Sequence, residues 1–373
     1  MVTLLLAVLL AQDAKSQYAD ASVRMNKQVW EGKLDIADWC KANGLPGEAA
    51  AHYRFVKERI SGTHPYKTRA EKALSGSWKG KPDTAEAKAR ETYAKKCADY
   101  VRKAGDLCFD CYKIAKAGKL TELARESLLK TIEFDADHPG ARKERGEVKD
   151  DAFFWVPEKA PWKAAATSKH FAIHTDRTDG AAAAARLEKM HDTFYGLMGN
   201  RFAPMTKPVG VIWMDDKIAF DEICRGVPGA PPQPTAFYSH ITNLVYATGP
   251  ASLLEHEVIH AMADIGAGAA RSLLLIGGKR ADAPRDYWVI EGLACAVMSL
   301  GQGQASPEVP QGTDVPAFMK MAFTDFEKDP MRNYAVAHAL TRSLIGGDKK
   351  EKFLDFIRDY YAGRGDYEKT VGK

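Results

Sequence analysis

From about residue 20 to residue 150, apolar positions recur at helical spacing, with Ala, Leu, Lys and Glu abundant and few β-branched runs. Two stretches of this half resemble each other. One runs from Gly44-Leu45-Pro46 through His52-Tyr53-Arg54-Phe55-Val56 to His64-Pro65 and Arg69. The other runs from Gly118-Lys119-Leu120 through Leu128-Leu129-Lys130-Thr131-Ile132 to His138-Pro139 and Arg142, about 74 residues further on. A degenerate tetratricopeptide-like array over 15–150 would give such a pattern, each helical hairpin burying its apolar face on the next. A plain helical bundle is the alternative. Ser75 to Asp83 reads as a loop within this half.

The pattern changes near Trp155-Val156-Pro157, and 151–373 reads as a second domain. Phe171-Ala172-Ile173-His174 alternates as a strand, and Gly180 to Gly199 is an Ala-rich amphipathic helix. Val209 to Met214 is a further strand, and Gly226 to Pro234 is a Pro/Gly loop. An extended pair, Ala236-Phe237-Tyr238 and Asn243-Leu244-Val245-Tyr246, follows that loop. Beyond Ser252 the chain is helical, with loops near 265–283 and 301–316. The expected fold is therefore α+β: a helical repeat domain, then a β-containing lobe leading into a helical lobe.

Composition changes this picture little. At 373 residues, with 53 basic and 49 acidic side chains interspersed, the chain is an ordinary globular protein without a nucleic-acid footprint. Leu4 to Ala11 is an apolar run too short to span a bilayer, which takes roughly 20 residues. It reads as the core of a secretory signal covering 1–14, although no Lys or Arg precedes it; an apolar helix start is the alternative. The expected location is thus outside the cytoplasm: periplasmic, cell-surface or secreted. Export would allow disulfides among Cys40, Cys97, Cys108, Cys111, Cys224 and Cys295. Cys108-Phe109-Asp110-Cys111 lacks a second CxxC to complete a zinc site, and a buried pair or local disulfide is the plainer reading.

The chemistry concentrates at His256-Glu257-Val258-Ile259-His260. Ser252 and Glu255 fit a capping box that starts a helix there. Residues four apart share a helix face, so both imidazoles can reach one zinc at ~2.1 Å. Glu257 sits beside them and can take a proton from a water that the metal acidifies, then return it to a leaving amine. The alternative is a helix with two hydrogen-bonded histidines. Leu253, Leu254, Val258, Ile259 and Met262 make the helix mostly apolar, and burying His and Glu there is costly unless they are paired or metal-bound.

The third ligand is not a nearby His, since Ala263 and Gly266 stand where one would be needed. Asp264 is two turns from His256, about 12 Å along the axis, too far for one ion. Glu291 is better placed, among apolar residues on a helix that Asp282 or Asp286 can cap, with Pro284 early in it. Gly292 beside it permits close helix approach.

With Trp288-x-x-Glu291-Gly292-Leu293-Ala294 about 30 residues beyond the HExxH motif, the chain resembles the gluzincins, the thermolysin-like clan. More closely it resembles the peptidase MA-like families of exported proteins, which often carry tetratricopeptide-like repeats upstream. The likeness covers about 150–373 and includes Ser168-Lys169-His170-Phe171 and Tyr334-Ala335-Val336-Ala337-His338. It implies a Zn2+ site of His256, His260 and Glu291, with Glu257 as general base and acid. It also implies Phe237 to Tyr246 as the edge strand pairing with a peptide substrate, and Tyr334 or His338 as oxyanion stabiliser. Two departures stand out. Thermolysin-like sequences have an Asp four residues after the ligand Glu, where this chain has Cys295. The GxMEN signature of aminopeptidases is absent before His256, which favours internal cleavage. The competing reading is a non-enzymatic exported adaptor, its repeats binding a protein partner and its zinc fold acting as scaffold.

Overall fold

The computed structural model describes residues 2–76, 84–150, 154–159, 164–267, 287–361 and 370–371. The chain forms two compact units, the first holding residues up to Val148 and the second running on from Lys149. Secondary structure is mixed α and β and mostly helical.

The first unit is built on two long helices, α1 (Val2–Ala42) and α4 (Ala87–Ala117). They run antiparallel, with Gly32 against Tyr100 and Gly118 against Ala14. Each is followed by a shorter pair: α2 (Pro46–Arg59) with α3 (Pro65–Leu74), and α5 (Thr121–Phe134) with α6 (Pro139–Glu144). Proline is pre-organised for the first helical position, and the histidine before it caps the helix in both pairs. His64 Nδ1 accepts from Tyr66 N at 3.3 Å and His138 Nδ1 accepts from Ala141 N at 3.1 Å. The likeness between the two stretches thus lies in these short pairs. Helices of 41 and 31 residues do not fit a 34-residue hairpin, so the repeating unit is a long helix plus a short pair, not a stacked tetratricopeptide hairpin. All six cysteines are free thiols. Cys108 and Cys111 are buried in an apolar cluster with Ala21, Met25, Val29 and Phe134, and burial pushes the Cys108 thiol up to about 12. The local disulfide is not formed, and such a thiol is a packing element.

Two short strands, β1 (Glu147–Lys149) and β2 (Trp155–Pro157), pair in a two-stranded sheet. The second unit then forms a five-stranded sheet in the order β3-β4-β5-β7-β6. Its strands are β3 (Ala164–Thr167), β4 (Phe171–Thr175), β5 (Val209–Met214), β6 (Ala236–Ser239) and β7 (Leu244–Thr248). β4, β5 and β7 are parallel, and the outer strands β3 and β6 are antiparallel to their neighbours. β5 is buried along its whole length, as the unbroken apolar run Val209 to Met214 requires of a central strand. Helix α7 (Gly180–Met198) connects β4 to β5, and α8 (Lys217–Arg225) follows β5. Phe237 to Tyr246 is not one edge strand. β6 alone is the edge, while β7 lies inside, between β5 and β6, joined to β6 by a turn in which Asn243 has φ 57°.

Helix α9 (Ala251–Gly266) lays Leu254, Val258, Ile259, Ala261 and Met262 into the core it shares with α7 and the sheet. The capping box does not form: Pro250 is the N-cap, and no side chain caps the helix. Glu255 is drawn elsewhere, accepting from Arg186 Nε at 2.5 Å and Gln302 Nε2 at 2.8 Å while only 2% exposed. α10 (Tyr287–Gly301) is apolar on nearly every face and correspondingly buried; its proposed caps Asp282 and Asp286, and Pro284, lie outside the described residues. Short helices α11 (Val315–Met319) and α12 (Phe323–Phe326) lead to α13 (Pro330–Gly346) and α14 (Lys350–Tyr361). Gly292 lets α10 and α13 meet, for a Cβ there would strike Thr341 Oγ1 and come within 2.6 Å of the Ala337 carbonyl oxygen.

Candidate metal centre

His256 and His260 stack one helical turn apart on α9, their rings 4.8 Å between centroids and inclined by 77°. Their Nε2 atoms are 3.1 Å apart. Glu291, brought in by α10, places Oε2 at 3.0 Å from His256 Nε2 and 3.5 Å from His260 Nε2. Ligands bound to one tetrahedral zinc at 2.0–2.1 Å stand about 3.3–3.4 Å from each other. The three atoms therefore already have the spacing of one face of such a tetrahedron.

The donor set fits a cation for a second reason. Glu291 is only 3% exposed, and burial alone would drive its carboxyl to the neutral form. Burial is outweighed by the charge of His260 and by hydrogen bonds and charge from His256 and His260, which hold the carboxyl well below the usual range. Burial likewise opposes charge on His256, but hydrogen bonds with Cys295 and Glu291 lift its pKa well above the usual value. Three donors crowded this closely need positive charge among them, and a divalent cation supplies it without protons. Two imidazoles and a carboxylate are a ligand set that zinc accepts.

The outer contacts of the two histidines differ. Cys295 Sγ, four residues beyond Glu291 on α10, lies 4.0 Å from His256 Nδ1, the ring nitrogen away from Glu291. His260 Nδ1 is buried with no hydrogen-bond partner among the described residues. Asp264 accepts from the Tyr238 hydroxyl at 3.1 Å.

Glu257 is half-buried on the same helix, and its Oε2 accepts the backbone N–H of Tyr238 on β6 at 2.8 Å. Tyr334, on α13, lies beside Glu291, and its ring lies 5.9 Å from that of His256. Burial, together with the charge of Glu291, raises the Tyr334 phenol, so it stays a proton donor across the neutral range. His338 is elsewhere. Its Nε2 is 2.8 Å from Ser299 Oγ, and Ser299 is two turns beyond Glu291 on α10, about 12 Å along the axis. Burial and nearby Arg342 lower the His338 pKa and favour the neutral ring. Of the six expected site residues, five gather at one place and His338 does not join them.

A second group with the same composition was not anticipated. His170 and Glu188 bond through Nδ1 and Oε2 at 2.7 Å, and His191 stacks on His170 with centroids 3.6 Å apart and planes 11° from parallel. Together they form another cluster of potential ligands. Glu188-x-x-His191 on α7 is the sequence signal that could have drawn attention to it.

No protein-family model matches the chain, and comparison with curated proteins and with solved structures finds no match.

Proposed function

We propose that this chain is a zinc-dependent peptidase of thermolysin-like build that cleaves within peptide chains, with His256, His260 and Glu291 holding the metal. The observation that carries the reading is the convergence of three ligand atoms within 3.0–3.5 Å of one another, beside a carboxylate on the same helix that is not a ligand. A purely structural zinc site has no use for that carboxylate and is usually closed by four protein ligands. Among the described residues, three converge here.

Zinc in this site would supply Lewis acidity, making a water more acidic and a carbonyl more electrophilic. Glu257 does the proton work. Its Oε2 is held by the Tyr238 amide, which leaves Oε1 to accept a proton from the attacking water and return it to the leaving amine. The Tyr334 hydroxyl, a donor beside Glu291, would hydrogen-bond the oxygen on which negative charge develops. β6, one of the two outer strands of the sheet, would offer backbone groups to an extended substrate. The apolar run Leu4 to Ala11 supports an exported protein, and no described helix is long and apolar enough to cross a membrane.

The decisive experiment pairs metal analysis with digestion of casein and a peptide library. Wild type should bind about one zinc and lose activity to a chelator, as three-ligand catalytic sites do. Glu257→Gln should keep the zinc and lose at least about a hundredfold in turnover. Unchanged digestion by Glu257→Gln would refute the mechanism. Zinc retained together with no cleavage by wild type would favour the adaptor reading, in which the helical unit binds a protein partner.

A further inference from the structure

Helix α9 touches the edge strand through two carboxylates seven residues apart, and both reach the same residue. Glu257 Oε2 takes the backbone N–H of Tyr238 at 2.8 Å, and Asp264 Oδ2 takes its hydroxyl at 3.1 Å. Positions seven apart lie on one helix face, two turns from each other. The direction of the Tyr238 amide follows from strand alternation. Thr235 and Ser239 turn their carbonyls toward β7, accepting from Thr248 N at 2.7 Å and Asn243 N at 2.8 Å. Backbone polar groups of the residues between them alternate, so Tyr238 directs its N–H to the open edge, where Glu257 meets it. Asn243, at the hairpin turn, is also 2.8 Å from the Tyr238 hydroxyl. One hydroxyl proton serves one acceptor at a time. With the Asn243 amide turned to present Nδ2, that contact and the bond to Asp264 are satisfied together.

We infer that Tyr238 is a positioning residue, gripped at its backbone by Glu257 and at its hydroxyl by Asp264, which sets the base and the edge strand as one unit. A glutamate has three rotatable bonds, and fixing one oxygen on an edge amide leaves the other aimed in a single direction. Asp264 thereby acts on the reaction through Tyr238. The kinetic consequence rests on the peptidase reading; the clamp itself does not.

Two measurements on the full chain separate these. Amide hydrogen exchange, followed by NMR, compares Tyr238 with Ala236, which lies on the same open edge. The Tyr238 amide should exchange at least about tenfold more slowly, and Glu257→Ala should abolish the difference, since an unpaired edge amide is unprotected. Tyr238→Phe and Asp264→Asn should each lower kcat about tenfold while KM moves less than about twofold and bound zinc is unchanged, as a misaimed base predicts. Asp264→Glu should recover part of the loss. Equal exchange of Tyr238 and Ala236 in wild type overturns the clamp. Both variants retaining kcat in an active enzyme overturns the positioning role. If wild type cleaves nothing, a slow Tyr238 amide released by Glu257→Ala still upholds the clamp, and the peptidase reading alone falls.

Discussion

Two clusters of the second unit each consist of two histidines and a glutamate, yet they are arranged to opposite ends. In His256, His260 and Glu291 the rings are inclined by 77°, so lone pairs lying in the ring planes run toward a common point. In His170, Glu188 and His191 the rings are stacked 11° from parallel, and in-plane lone pairs of parallel rings do not meet. The carboxylates differ as well. Glu188 has both oxygens engaged by His170, at its backbone N–H and at Nδ1, whereas Glu291 directs Oε2 to both imidazoles at once. On the proposed reading the first cluster is a socket, and the second is a brace that ties the start of β4 to α7. Residue composition and proximity do not separate them. Orientation does, because a metal bond follows the lone pair.

The comparison is most easily broken at the ligands. His256→Ala or Glu291→Ala should weaken zinc binding at least about a hundredfold, the loss of one bond from a three-ligand site. His170→Ala and His191→Ala should leave zinc stoichiometry and affinity unchanged in a competition titration. A second zinc per chain that disappears with His191→Ala would show that the brace can open into a site. A smaller effect is expected from Cys295→Ala, which strips His256 of its partner at Nδ1. Loss of such a partner typically weakens metal binding 10- to 100-fold, and the long, weak thiol contact puts the expectation at the lower end. Glu188→Gln should have the smallest effect, costing about 1 kcal/mol in urea unfolding by weakening the bonds to His170, with no change in zinc.

Much of the socket was legible because it is local. The i, i+4 spacing of His256 and His260 needs only a helix, and the apolar residues around them ensure one. Val209 to Met214 was legible for a similar reason, as a run of that length and character has few other uses. Features that depend on how elements meet were not. Tyr334 and His338 share a face of α13, and only the placement of α13 along α10 puts Tyr334 on Glu291 and His338 on Ser299. Ser252 and Glu255 have the spacing of a cap, but Arg186 and Gln302, distant in sequence, claim the glutamate. The grip on Tyr238 joins a strand to a helix through a backbone N–H, a group every residue but proline carries and no motif can mark.

Gly292 has a meaning for anyone who would move this site into another protein. Copying the side chains of His256, Glu257, His260, Glu291 and Tyr334 onto a new scaffold would transfer every functional group and still omit one specification. The Tyr334-bearing helix lies against its neighbour because Gly292 has no atom where the Ala337 carbonyl must pass. The portable description of the site therefore includes an empty volume about the size of a methyl group, defined by what the chain leaves out.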